Sequence, residues 1–265
     1  MTSPGQQWAD DLQAWAIPQE ILDQAPQSPW GHPVSRFAGR ADQAVSRPRG
    51  WSYERAFSLL PEGGSVLDVG VGAGAGSLPL ARRAHLITGV DPNAGMLEAF
   101  RARAVALGVD AVTVEGRWPD AARAVGAHDV VLAHHVAYDV ADVVPLLQAM
   151  TDHARCGVVL ELPPRHPLTW MTPLWQHFWG IDRPDAPTAD DLVAILRTLK
   201  VRGLVVHRWQ REDLDLTPLD ERAALVARRL CLADDRVPEV AAMILDLPPA
   251  QHRDVVTVAW SGSAA

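Results

Sequence analysis

Cysteine is nearly absent from this chain of 265 residues: only Cys156 and Cys231 occur, far apart and outside any metal-ligand spacing. That argues against a disulfide scaffold or a zinc site, and no metal is assigned. No apolar run approaches the ~18 residues of a membrane span, and Met1 to Asp11 is polar where a secretory signal would carry an apolar core. Positive charge is also short: 24 Lys and Arg stand against 32 Asp and Glu, a net charge of −8. A nucleic-acid partner ordinarily needs a basic face, so none is expected. Internal repeats and low-complexity tracts are missing. What remains is an apolar content of 48%, enough for a sizeable core in one large domain or at most two. The composition fits a cytoplasmic protein with no membrane partner.

One stretch carries most of the information: Ser65-Val-Leu-Asp-Val-Gly-Val-Gly-Ala-Gly-Ala-Gly76. Val66, Leu67 and Val69 form the apolar run of a strand buried on both faces. Gly70, Gly72 and Gly74 then stand at alternate positions, where residues without a Cβ let backbone amides approach a ligand. A turn of this kind at the carboxyl end of a parallel strand is where open α/β sheets bind ligands.

Strand and helix patterns alternate beyond it. Strands are expected at Ser65–Gly70, Leu86–Val90, Ala111–Val114, Asp129–Ala133 and Gly157–Leu162. Helices are expected at Gly74–Arg83, Asn93–Leu107 and Pro119–Val125, with a further one capped by Asp142 and another by Thr188. Two more strands, Gly203–Trp209 and Asp254–Trp260, flank a helical insertion from about Pro218 to Leu247. Upstream, Gln6–Ala25 and Tyr53–Leu60 are helical, whereas Pro26–Gly50, rich in Pro, Gly and Arg, reads as a loop or lid. Pro163–Pro187 shows no regular pattern. The fold class is α/β: a doubly wound, Rossmann-like, mostly parallel seven-stranded sheet with helices on both faces and an N-terminal helical cap. Residues 1–61 form the cap, and 62–265 the main domain, with insertions at 163–187 and 211–250.

Val66-Leu-Asp-Val-Gly-Val-Gly-Ala-Gly74 and Gly89-Val-Asp-Pro-Asn-Ala-Gly-Met96 together resemble the first two motifs of the class I S-adenosylmethionine-dependent methyltransferases. Asp129-Val-Val-Leu-Ala-His-His-Val-Ala-Tyr138 resembles the fourth motif of their small-molecule branch, which includes the ubiquinone and menaquinone biosynthesis enzymes. The resemblance covers Glu62 to Leu162 well and Thr188 to Trp260 loosely, and it implies an antiparallel last strand. It implies S-adenosylmethionine as cofactor, leaving as S-adenosylhomocysteine. Asp91 at the tip of the second strand, followed by Pro92, would hold the ribose hydroxyls. Gly70, Gly72 and Gly74 would pass under the methionine and ribose, and Asp68 would bind the amino-acid end. The aspartate that often meets adenine is replaced by Arg117, so Arg117, Trp118 or backbone would take that part, with His134 also lining the cleft. A nicotinamide-binding fold is the nearest rival, because it too uses a glycine turn and a later acid. Asp68, ahead of the glycines, favours the methyltransferase.

Methyl transfer needs a positioned nucleophile and, for a hydroxyl or ammonium acceptor, a base. His135 and His134, just past the fourth strand, are the candidates, with Tyr138 behind them. Glu161 can bind substrate or pair with an arginine. No Asn-Pro-Pro-Tyr tetrapeptide follows the fourth strand, which argues against DNA or protein-glutamine methylation. The expected partner is a small molecule, aromatic or apolar in character. An RNA or protein methyltransferase and a non-catalytic cofactor binder or NAD-dependent oxidoreductase are the alternatives. Trp30, Trp51, Trp170, Trp175, Phe178 and Trp179 could cap such an acceptor, pack the lid or form a homodimer contact. Arg36, Arg40, Arg47 and Arg49 could meet an anionic acceptor or lie in solvent.

Overall fold

The computed structural model describes residues 2–31, 33–212, 217–247 and 252–264. Seven strands form one sheet: β1 (Gly64–Val69), β2 (Ala84–Asp91), β3 (Asp110–Glu115), β4 (His128–His134), β5 (Ala154–Leu162), β6 (Val205–Glu212) and β7 (His252–Trp260). Their order is β3-β2-β1-β4-β5-β7-β6. The first five run parallel, and β7 pairs antiparallel with both β5 and β6. The chain order reverses beside β1, so a crevice opens beyond the carboxyl ends of β1 and β4.

Side-chain alternation divides the core. Leu67, Val69, Val131 and Leu160 face α1 (Pro4–Gln13), α6 (Val143–His153) and α8 (Ala189–Thr198). Val66, Ile87, Leu132 and Val159 face α4 (Trp51–Leu59) and α5 (Ala94–Leu107), where Phe100 is fully buried. Burying each such side chain is worth ~1.5–3 kcal/mol. The Asn93 side chain accepts from the Met96 amide to start α5, and Gly108 in the left-handed region ends it. Thr188 and Asp191 form a full capping box on α8.

The structure corrects several expectations. Gly74–Arg83 is not a helix: Leu78–Leu80 makes a single 3-10 turn before β2 begins at Ala84, because Gly74, Gly76 and Pro79 leave too few residues for an α-helix. Asp120–Ala124 is likewise a 3-10 turn, and Asp142 precedes α6 without a side-chain cap bond. The supposed lid loop contains a 13-residue helix, α3 (Val34–Ser46). Pro163–Pro187 contains α7 (Thr172–Trp179), with Pro in its first turn and Gly180 closing it. The helical insertion between β6 and β7 supplies α9 (Leu219–Arg229) and α10 (Val237–Asp246). Parts of that 211–250 insertion, at 213–216 and 248–250, lie outside the described residues.

A third apolar cluster stands apart from the sheet. Ile17 and Ile21, near the short helix α2 (Gln19–Leu22), pack with Leu174 and Trp175 of α7, Val226 of α9 and Val240 of α10. Arg183 lies between the rings of Trp15 and Trp175, at 5.0 and 4.9 Å. Trp15 stacks on His166 at 3.8 Å. No helix among the described residues is long and apolar enough to cross a membrane.

Candidate functional site

The turn after β1 is held by backbone. The Gly70 and Val71 amides both donate to the Val90 carbonyl, at 2.8 and 3.0 Å. Gly70 and Gly74 adopt φ of +71° and +96°, a region that L residues avoid. A Cβ at Gly70 would lie 2.5 Å from Val136 Cγ2, and one at Gly74 2.4 Å from Leu78 Cδ1. These glycines are therefore required by conformation and by space.

Asp91 ends β2 against this turn and is buried. Its Oδ2 accepts from the Gly72 amide at 3.0 Å and its Oδ1 from the Asn93 amide at 2.8 Å. A carboxylate offers about four acceptor sites, so each oxygen keeps capacity for a ligand hydroxyl. Pro92, exposed, follows at the rim.

Asp68 and His134 share the β-sheet face of Val66 and Leu132, two residues on from each, which places both at the carboxyl edge. A Cβ at Gly76 would lie 3.1 Å from His134 Nδ1 and 3.4 Å from Asp68 Oδ2, so Gly76 is the open point at which they meet. Asp68 Oδ2, Ser77 Oγ and His134 Nε2 are all buried without a hydrogen-bond partner. Burial raises the Asp68 carboxyl to about 7, the charge of Asp91 adds to the rise, and nearby Ser77 opposes it without reaching hydrogen-bond geometry. Burial lowers the pKa of His134, against the pull of Glu161. A ligand bearing an ammonium group and vicinal hydroxyls suits these residues: orphaned Asp68 would accept from the cation and Asp91 from the hydroxyls.

His135 lies just beyond β4 with φ +60°. Its amide donates to the Glu161 carbonyl at 2.8 Å, and its Nε2 lies 3.1 Å from Glu161 Oε1. Arg211 Nη1 donates to the same oxygen at 2.9 Å. Burial would raise the Glu161 pKa, yet the surrounding positive groups hold it well below the usual carboxylate range. The charge of His134 is the largest of these influences, followed by the hydrogen bond from His135 and the charge of Arg211, while burial disfavours the charged form of His134. The His135 side chain itself is 45% exposed.

The other sequence candidates separate. Trp118 is buried in the core, edge-on to His153 at 4.9 Å, while Arg117 is exposed. Tyr138 is buried, stacks on Trp8 at 5.4 Å and donates to the Pro163 carbonyl at 3.1 Å; burial pushes its phenol upward, away from any role as a base near neutral pH. Trp175 is buried, and Trp179 donates to the Leu230 carbonyl at 2.7 Å. Trp51 stacks on His207 at 3.6 Å. Trp30 and Trp170 stay half exposed. Arg49 pairs with Glu212.

Phe37 was not among the expected site residues, because its segment read as a loop. Its Cδ1 lies 3.5 Å from the position a Cβ on Gly72 would occupy, so α3 rests on the glycine turn. Val34, Phe37, Ala41 and Val45 at spacings of three and four were the available signal.

A turn conditioned on glycine, flanked by one engaged and one orphaned aspartate, suits a nucleoside-type ligand. Residues 66–157 match the model of a methyltransferase domain. That segment of the chain is similar to a methyltransferase domain. Its fold is that of the class I, S-adenosylmethionine-dependent methyltransferases, and the match supports S-adenosylmethionine as the cofactor. No curated protein sequence matches the chain. Among solved structures, a cyclopropane-fatty-acyl-phospholipid synthase-like protein from Lactobacillus casei is 19% identical, with TM-score 0.56 over 92% of this chain and 98% of its own. YcgJ from Bacillus subtilis is 13% identical, with TM-score 0.54 over 86% and 99%. Magnesium protoporphyrin IX methyltransferase from Synechocystis, solved with bound S-adenosylhomocysteine, is 16% identical, with TM-score 0.50 over 85% and 84%. At these identities the methyltransferase domain shares their fold.

Proposed function

We propose that this methyltransferase transfers a methyl group to a small-molecule nucleophile, with His135 as the base that accepts the acceptor's proton. S-adenosylmethionine held at the glycine turn would supply an activated methyl group on a sulfonium, with sulfur as the leaving atom. Gly70, Gly72 and Gly74 shape the cradle, Asp91 takes the ribose hydroxyls and Asp68 the amino-acid end. His134, beside Asp68 and Gly76 with its Nε2 buried, lines the cradle and leaves the proton to its neighbour. The observation that carries the reading is the His135–Glu161–Arg211 chain: an exposed imidazole fixed from behind by an ionised carboxylate, itself fixed by an arginine. Such an arrangement orients the ring toward an acceptor in the crevice. The porphyrin methyltransferase that shares the fold acts, by its name, on a small molecule.

Calorimetric titration tests the cofactor residues. S-adenosylhomocysteine is expected to bind, NAD to give no heat, and Asp91→Ala to lose about 1–3 kcal/mol. An Asp91 variant with native affinity removes that residue from the site. For the base, His135→Gln is expected to slow transfer of labelled methyl to a hydroxyl acceptor by about 10²–10⁴-fold, with S-adenosylhomocysteine affinity unchanged. Equal turnover in the variant would assign proton removal to water.

A further inference from the structure

Three non-glycine residues among the described ones take a positive φ: His135 at +60°, Lys200 at +54° and Cys231 at +59°. Lys200 and Cys231 stand just past α8 and α9, where a left-handed residue ordinarily closes a helix. His135 follows a strand, so no helix end accounts for its backbone. A strained residue of this kind persists only where its surroundings over-determine it. His135 also carries the exposed imidazole of the site, and Val136 beside it fills the space next to Gly70. The loop 135–140 therefore joins the proposed base to the cofactor turn.

Hydrogen bonds to other elements fix this loop at its start, middle and end. The His135 amide donates to the Glu161 carbonyl of β5 at 2.8 Å. Tyr138 donates to the Pro163 carbonyl at 3.1 Å. The Val140 carbonyl accepts from Trp8 Nε1 of α1 at 3.0 Å. The Trp8 and Tyr138 rings stack at 5.4 Å with 21° between their planes, and both are buried. An indole N–H can only donate, and leaving it unpaired in the core costs free energy, so it holds the Val140 carbonyl in place. Within the loop, the Asp139 and Val140 amides donate back to the Val136 and Ala137 carbonyls and close a tight turn. Two of the outside anchors lie on the end of β5, the same segment whose Glu161 Oε1 stands 3.1 Å from His135 Nε2. Pinning the loop there sets the distance at which the imidazole meets its carboxylate.

We infer that Trp8 and Tyr138 are positioning residues, which clamp the 135–140 loop and thereby hold the His135 imidazole on Glu161 at the crevice. This deepens the reading of His135 as the base and rests on it. Both residues act through the backbone. Return of His135 to a negative φ would redirect the chain that follows it and break the Tyr138 and Trp8 bonds, so those bonds oppose the relaxation. The N-terminal helix thus reaches the chemistry from the far end of the sequence, through one buried donor.

The experiment compares the full chain with Trp8→Phe, Tyr138→Phe and the double variant; each substitution keeps a ring and removes one donor. Residue-resolved hydrogen exchange at the His135 amide is expected to be about tenfold faster in the double variant and about threefold faster in each single one. Amides of α8, which shares an apolar cluster with Trp8, are expected to stay within about twofold. The His135 ring signals in a carbon–proton spectrum are expected to move toward those of Glu161→Gln, where the partner of the ring is removed. In transfer of labelled methyl, kcat is expected to fall about fivefold or more, with KM for S-adenosylmethionine within about twofold. Unchanged exchange and ring signals overturn the inference, and so does equal acceleration across α8, which marks lost packing alone. Native turnover in the double variant beside a slowed His135→Gln also overturns it. If the double variant does not fold, Tyr138→Phe decides by the same measurements. His135→Gln separates the two readings. Native turnover there, with the clamp variants behaving as expected in exchange and ring signals, keeps the clamp and removes the base; slowed turnover there, with those signals unmoved, removes the clamp alone.

Discussion

The cofactor cradle and the helical cap are held in shape by different means. In the cradle, Asp68 and Asp91 are buried at strand ends within a single β1-turn-β2 unit, and backbone amides fix the geometry. In the cap, side chains do the fixing: Trp15, Arg183 and Trp175 in a stack, with Arg228 wedged against Gly31. A region fixed by backbone depends on neighbours in sequence; one fixed by side chains depends on residues far apart in it. This difference is why the cradle shows in the sequence as a local motif while the cap does not.

The largest test of that division is Trp175→Ala. Its buried ring anchors the third apolar cluster, so the cap should lose about 3–5 kcal/mol of stability. S-adenosylhomocysteine affinity should change less than twofold. Equal loss of both in paired melting and titration experiments would show that cradle and cap are one cooperative unit.

Acid–base linkage should expose the two regions with opposite signs. The folded Asp68 pKa of about 7 lies above its unfolded value. Its contribution is therefore full below pH ~4 and is lost as pH rises to 7, by up to about 4 kcal/mol. Burial lowers His166, stacked on Trp15, to about 4, with Arg183 adding to the shift. Its contribution is present above pH ~6.5 and is lost as pH falls toward 4, by about 2 kcal/mol after allowing for partial exposure. Denaturant melts from pH 4 to 8 should show Asp68→Asn removing the fall with rising pH, and His166→Gln removing the fall with acid. A variant that leaves its slope intact takes that residue out of the account.

The smallest effect concerns the joint between the regions. Arg103 and Asp42 form a two-bond ion pair, at 2.8 and 2.9 Å, between α5 and α3. Asp42 is largely exposed, so Asp42→Ala should cost under ~1 kcal/mol. It should nevertheless raise hydrogen exchange at Val34–Ser46 more than in β1. Unchanged exchange would mean that Phe37 and Val34 alone hold α3 on the cradle.

Much of this protein was written in local pattern. The sheet strands showed as apolar runs and α5 as a capped periodic segment, and the strand-end positions of Asp68, Asp91 and His135 were legible as well. The misreadings also have local causes. Proline and arginine density hid the spacing of Val34, Phe37, Ala41 and Val45. The glycines needed at the turn removed the helix expected after it. Trp118 and Trp175 could be weighed only as core or cap, since composition does not say which face a ring meets, and both are buried.

By itself the sequence determined the α/β class and the cofactor edge. Those rest on periods of two and on glycines whose φ and clearance are set within a few residues of chain. Only the tertiary structure decided that His135, Glu161 and Arg211 form one chain, and that Trp8 donates to the loop that follows His135. Such contacts join residues far apart in the sequence, and their energies depend on distance in space, which no local period encodes.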